Sequence, residues 1–144
     1  MSNKDLELAS ELRTVVTRLI KKFRKETATG QQLSLTERTT LGLLYNSGSM
    51  LPSELATSEK ITNQSMSQIL NHLLELDLII RTNSEADKRK VFISLTEAGQ
   101  QLILQARTEK NEWIAKAITA TCTDEEQEIL RKALGPLSRI VDFE

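Results

Sequence analysis

The sequence predicts a mainly α-helical chain with one small antiparallel β hairpin, and three observations carry that expectation. Apolar residues recur at helical spacing over most of the 144 residues. The exceptions are two short apolar runs, residues 78–82 and 90–95, separated by the polar Asn83-Ser84-Glu85-Ala86-Asp87-Lys88-Arg89, which read as paired strands. Helix starts are written locally: Ser34 and Thr123 each precede a glutamate by three residues, the spacing of a capping box.

The first helix is expected over residues 5–26, where Leu8, Ala9, Leu12, Val16, Leu19, Ile20 and Phe23 form one stripe and Arg13, Lys21, Lys22, Arg24 and Lys25 a basic side. No earlier element exists for that stripe to pack upon, so it needs the C-terminal helices or another subunit. A second helix opens at Ser34, buries Leu41, Leu44 and Tyr45, and ends at Asn46-Ser47-Gly48-Ser49. Pro52 suits the first turn of a third helix, where its missing N–H costs nothing, and Leu55 and Ala56 supply that helix's packing edge. The fourth helix has Met66, Ile69, Leu70, Leu73 and Leu74 on its buried side. Its other face holds Thr62, Asn63, Gln64, Ser65, Gln68, Asn71 and His72, all able to hydrogen-bond and none acidic. After the hairpin, Thr96 caps a long helix to about Thr121, with Leu102, Ile103, Ala106, Trp113, Ile114, Ala117 and Ile118 along its apolar side. The last helix starts at Thr123 and carries Ile129, Leu130, Ala133, Leu134, Leu137 and Val141; Pro136 is expected to bend or interrupt it.

A helix with an uncharged polar face followed by a cationic hairpin is a combination that can read double-stranded DNA. The helix fits the major groove, and the hairpin reaches the backbone or the neighbouring minor groove. Thr62, Asn63, Gln64, Ser65 and Gln68, near the start of the fourth helix, are the candidate base or phosphate contacts, and Lys88 and Lys90 are generic phosphate partners. The net charge of −1 argues against broad affinity for nucleic acid, but a short operator needs few phosphate contacts per subunit. Other chemistries find little support. There is no Gly-rich phosphate loop and no metal-ligand spacing, and the lone His72 and lone Cys122 lie far apart in the chain, so neither an enzyme nor a cofactor is expected. No apolar run approaches the ~18 residues that cross a membrane, and residues 1–8 lack a signal peptide's apolar stretch. One cysteine excludes an internal disulfide and suits a cytoplasmic setting.

The run Asp87-Lys88-Arg89-Lys90-Val91-Phe92-Ile93-Ser94-Leu95-Thr96-Glu97-Ala98-Gly99, set after two helices, resembles the multiple-antibiotic-resistance regulator (MarR) family of winged helix-turn-helix repressors. That family's wing carries an Asp-x-Arg element, matched by Asp87 and Arg89, and a strand ending in Leu-Thr with a following Gly, matched by Leu95, Thr96 and Gly99. Asp77 and Lys60 depart from the pattern, each standing where the family commonly has Gly. The resemblance implies a single MarR-like chain over 1–144, with a winged helix-turn-helix over residues 34–99 and helical dimerisation regions over 1–27 and 100–144. It implies a homodimer with the two terminal stripes paired across a two-fold axis, acting as a repressor on a palindromic operator. Arg89 becomes the wing's DNA contact, and Asp87 orients it through a charge-assisted bond. A small aromatic or lipophilic effector is expected near the junction of the first, second and fifth helices, with Arg13 or Arg18 as anion partners. Peroxide-sensing members carry a reactive cysteine near the N-terminus, where this chain has none. The alternative is a winged-helix protein-interaction module without specific DNA binding.

Overall fold

The computed structural model describes residues 1–144 throughout. Helix α1 (Asn3–Glu26) begins two residues earlier than its apolar stripe indicates, because Ser2 and Asp5 cap each other: Ser2 N donates to Asp5 Oδ2 at 2.7 Å and Asp5 N to Ser2 Oγ at 3.3 Å. After Thr27, Gly30 turns the chain with φ +82°, a conformation that a Cβ would strain. The Gln31 amide closes the end of α1 by donating to the Thr27 carbonyl at 2.7 Å. Helix α2 (Leu35–Ser47) starts at the expected Ser34/Glu37 box, with Ser34 N donating to Glu37 Oε1 at 2.9 Å and Glu37 N to Ser34 Oγ at 3.1 Å.

Strand β1 (Ser49–Met50) follows, then α3 (Pro52–Glu59), α4 (Asn63–Glu75), β2 (Ile79–Asn83) and β3 (Val91–Leu95). The hairpin strands lie one residue inside the expected starts, and β1 joins them in an antiparallel sheet of order β1-β3-β2. Pairing Arg81 with Ile93 and Met50 with Ile93 puts Ile93 at the centre of the sheet, where it is fully buried. Two joints frame α4. Lys60 (φ +56°) and Asp77 (φ +59°) both adopt left-handed backbone conformations, so the positions where the family commonly has Gly do need that geometry here.

The core gathers Leu41 and Leu44 from α2, Leu55 from α3, Met66 and Leu73 from α4, Ile79 from β2 and Ile93 from β3. Each such side chain contributes about 1.5–3 kcal/mol when removed from water. Of the stripe expected on α4, Met66, Leu70 and Leu73 are buried, while Ile69 and Leu74 pack at its margin. Tyr45 is half-buried against this core, with the Arg107 guanidinium 4.5 Å over its ring.

The Leu95-Thr96-x-x-Gly99 ending now has a physical reason. Thr96 Oγ1 donates to the Asp77 carbonyl at 2.7 Å and accepts from Gly99 N at 3.0 Å, while Thr96 N donates to the Leu78 carbonyl at 3.0 Å. A Cβ on Gly99 would stand 2.1 Å from that Leu78 oxygen, so only glycine lets helix α5 (Glu97–Thr121) start against the joint between α4 and β2. Helix α6 (Asp124–Val141) opens at the expected Thr123/Glu126 box. It is unbroken through Pro136, so of the expected bend or interruption the interruption does not occur. The carbonyl that Pro136 leaves without an N–H partner belongs to Lys132, an exposed residue, so water can take it.

By packing, the chain forms two compact units, Met1–Glu109 and Lys110–Glu144. Neither α1 in the first nor α6 in the second buries a single residue.

Candidate nucleic-acid interface

Helix α4 begins with a hydroxyl cap. Thr62 Oγ1 accepts from Ser65 N at 3.0 Å and donates to Ser65 Oγ at 3.0 Å. Of the five candidate contacts on this helix, Thr62 and Ser65 are thus joined to one another. Asn63, Gln64 and Gln68 are exposed, and no intramolecular hydrogen bond engages their side chains. The polar face divides at this point. Beyond Gln68 it is fastened into the fold: Asn71 Oδ1 accepts from Arg81 Nη2 of β2 at 3.1 Å, and His72 Nδ1 bonds the Glu37 carboxylate of α2. His72, placed on the polar face by the sequence, is instead a tie between α2 and α4. Burial pushes the Glu37 carboxyl up, but the Ser34 N–H and His72 outweigh it and hold the group below its ordinary value.

The wing tip is equally ordered by its own bonds. Ser84 N donates to the Lys90 carbonyl and Lys90 N to the Asp87 carbonyl, both at 2.9 Å, closing the loop. Asp87 then meets Arg89 as a fork, Nε to Oδ1 at 3.1 Å and Nη2 to Oδ2 at 3.3 Å, with Arg89 N also donating to Oδ1 at 3.1 Å. The Arg89 side-chain and backbone donors hold the Asp87 carboxyl below its usual range. The expected Asp87–Arg89 bond is present, made by an arginine whose side chain is 90% exposed. Lys88 and Lys90 are exposed beside it.

Helix and wing meet across a groove of about 460 Å³ lined by Leu51, Pro52, Ser53, Asn63, Ser67, Arg89, Lys90 and Val91. It joins the start of α4 to the two wing cations and has no carboxylate in its lining. Ser67 and Ser53 are additions that the sequence reading missed. Ser67 was legible, since it stands four residues from Asn63 on one helical face. Ser53 was not, because only the fold brings the start of α3 beside the wing.

A model of the MarR family matches residues 33–91. An HTH-type transcriptional regulator of Mycobacterium tuberculosis is 32% identical over 142 residues, which span 99% of this chain and 98% of the relative. This chain belongs to the MarR family. A MarR-family chain of this kind is a helix-turn-helix transcriptional regulator, not an enzyme. A transcriptional regulator from Pseudomonas aeruginosa shares the fold with a TM-score of 0.88 at 30% identity, over 99% of this chain and 100% of that one. A mutant of S. aureus MepR, bound to an oligodeoxyribonucleotide, has a TM-score of 0.71 at 21% identity over 93% and 97% of the two chains. At that identity the likeness speaks for the fold alone.

The two arginines named for an effector separate in this MarR-family regulator. Arg18 lines an open hollow of about 430 Å³ along α1 with Val15, Leu19, Lys21, Lys22 and Lys25, whereas Arg13 lies outside that lining. No helix is long and apolar enough to cross a membrane.

Proposed function

We propose that this MarR-family protein is a homodimeric, effector-responsive repressor that works in the cytoplasm on a palindromic operator. The observation that carries the DNA reading is the groove that sets Asn63 and Ser67 of α4 opposite Arg89 and Lys90 of the wing. In this reading Asn63, Gln64 and Gln68 meet base edges, Thr62 and Ser65 hold the helix start near a phosphate, and Lys88, Arg89 and Lys90 meet the backbone. MepR, of the same fold, has been captured on an oligodeoxyribonucleotide, which supports the assignment. Support for the dimer comes from exposed apolar side chains on α1 (Leu8, Val16, Ile20) and on α6 (Ile129, Leu134, Ile140, Val141), which a second copy covers. A two-fold protein matches a palindromic site. The hollow at Arg18, with Val15 and Leu19 beside cations, suits an apolar or aromatic acid as effector.

Titration against operator and scrambled DNA at several salt concentrations tests the reading. Arg89→Ala weakens both DNAs and flattens the salt slope by about one per subunit. Gln64→Ala or Gln68→Ala costs about 1–3 kcal/mol on the operator alone. Asp87→Ala acts as a weaker Arg89 variant, since it frees the arginine without deleting it. A chain that shifts no DNA specifically, taken from its own upstream region, is an interaction module instead.

A further inference from the structure

Asn71 and His72 stand side by side on α4 and are bound to different neighbours. Asn71 Oδ1 accepts from Arg81 Nη2 of β2 at 3.1 Å, and His72 Nδ1 bonds the Glu37 carboxylate of α2. Consecutive residues of an α-helix project about 100° apart around its axis, so the two bonds restrain α4 from two directions. Arg81 is aimed at this place by the sheet. It is the cross-strand partner of the buried Ile93, and such partners share a face, so its stem leaves the sheet on the core side and reaches α4. Although it is an exposed arginine, it makes no ion pair, and its one partner is the neutral Asn71 amide.

The Asn71–Arg81 bond has little work to do in stability. A hydrogen bond between exposed side chains adds little to it, and Met66, Leu70 and Leu73 already bury the helix. Apolar contact is non-directional, however, and fixes the roll of a helix less closely than hydrogen bonds, which weaken steeply with angle. Reading bases demands side chains held within about 0.5 Å and 10–20°. Gln68 and Gln64 precede Asn71 by three and seven residues, the spacing of one helical face, and Asn63 is about 12 Å away along the axis at 1.5 Å per residue. A small roll of α4 at Asn71 therefore displaces all three candidate base contacts together. Strand β2, which holds Asn71, also leads into the wing tip that carries Arg89.

We propose that Asn71 and His72 are positioning residues: through Arg81 and Glu37 they set the roll of α4 against the wing, and so decide how sharply operator is told from other DNA, with no DNA contact of their own. The inference rests on the DNA reading above, with Gln64 and Gln68 at base edges.

The test titrates the full-length protein with its upstream operator and with scrambled DNA at several salt concentrations, with melting temperatures taken alongside. Asn71→Ala and His72→Ala each lower the operator-to-scrambled affinity ratio about fivefold, the worth of one side-chain hydrogen bond, and leave the salt slope unchanged because no phosphate contact is lost. Asn71→Ala melts within about 2 °C of the parent. Arg81→Ala reproduces Asn71→Ala, and the double variant loses no more than either, since both remove the same bond. His72→Gln, which keeps a donor for Glu37, keeps the ratio. Asn71→Asp separates positioning from direct contact. It retains an acceptor for Arg81 and keeps the ratio, whereas a carboxylate in place of an amide at a base edge or phosphate forfeits operator affinity. The proposal is overturned by an unchanged ratio in Asn71→Ala or His72→Ala, by a flattened salt slope in Arg81→Ala, or by loss of the ratio in Asn71→Asp. A parent protein that binds both DNAs equally overturns the DNA reading itself, and this inference with it; a parent that discriminates while Asn71→Ala does so equally well overturns this inference alone.

Discussion

The winged region and the terminal helices are built to different standards. From Leu33 to Ile93 the chain closes a core with seven large apolar side chains removed from water, each joint fixed by a cap or a left-handed residue. Helices α1 and α6 are as regular in backbone and as well capped, yet neither buries a residue. Local sequence rules make both regions helical, but only the first completes its hydrophobic surface within one chain. The difference teaches that helix formation and core formation are separate achievements. Most helical stability comes from packing an apolar face, and the apolar side chains of α1 and α6 are left exposed.

The sharpest contrast comes from truncating leucines. Leu41→Ala in the core loses about 2–5 kcal/mol of stability in urea unfolding followed by circular dichroism. Leu134→Ala, on the exposed stripe of α6, stays within about 0.5 kcal/mol at concentrations where the protein is monomeric. Equal losses at both positions would erase the distinction. A charge on the same stripe sharpens it further: Leu134→Glu weakens self-association by at least about tenfold, or 1.4 kcal/mol, in sedimentation, with the unfolding of the winged region unchanged.

Within the winged region, the Glu37–His72 tie is the polar link most open to a pH experiment. The Glu37 carboxyl is held below its ordinary value in the folded protein, with burial opposing and Ser34 and His72 prevailing. Its stabilising contribution is therefore complete above the unfolded carboxyl's value and is lost as pH falls through the folded one. Glu37→Gln keeps an acceptor for the Ser34 cap, lowers stability near neutrality by about 1 kcal/mol, and flattens the acid limb of the stability curve. An acid limb identical to the parent's assigns the loss to other carboxylates. The smallest effect belongs to the joint before α4. Lys60→Gly relieves a left-handed lysine at about 1–2 kcal/mol and adds about 0.5–1 kcal/mol of chain entropy to lose, leaving a net gain of roughly 0.5 kcal/mol in melting experiments.

Much of this was readable before folding because the rules involved are local. Ser34 with Glu37 and Thr123 with Glu126 announce their helices over three residues, and the Asp87–Arg89 fork spans only two. The α1 cap at Ser2 was equally local but went unread, because Asp5 stands where a Glu or Gln marks the pattern. What escaped needs contacts between distant segments. Strand β1 is two residues long and exists only because Ser94 and Ile93 pair with it. His72 meets Glu37 across 35 positions of sequence, so its helical face says nothing of that partner. Gly99 shows the intermediate case: the motif is visible in the sequence, but its reason, a carbonyl 2.1 Å from any added Cβ, is not.

In the proposed reading, the fork at the wing lowers the entropy cost of docking. Arg89 is already held by Asp87, so fewer rotamers remain to be lost when it meets a phosphate. That saving is the same at right and wrong sites, because a phosphate carries no sequence, and discrimination stays with the residues of α4.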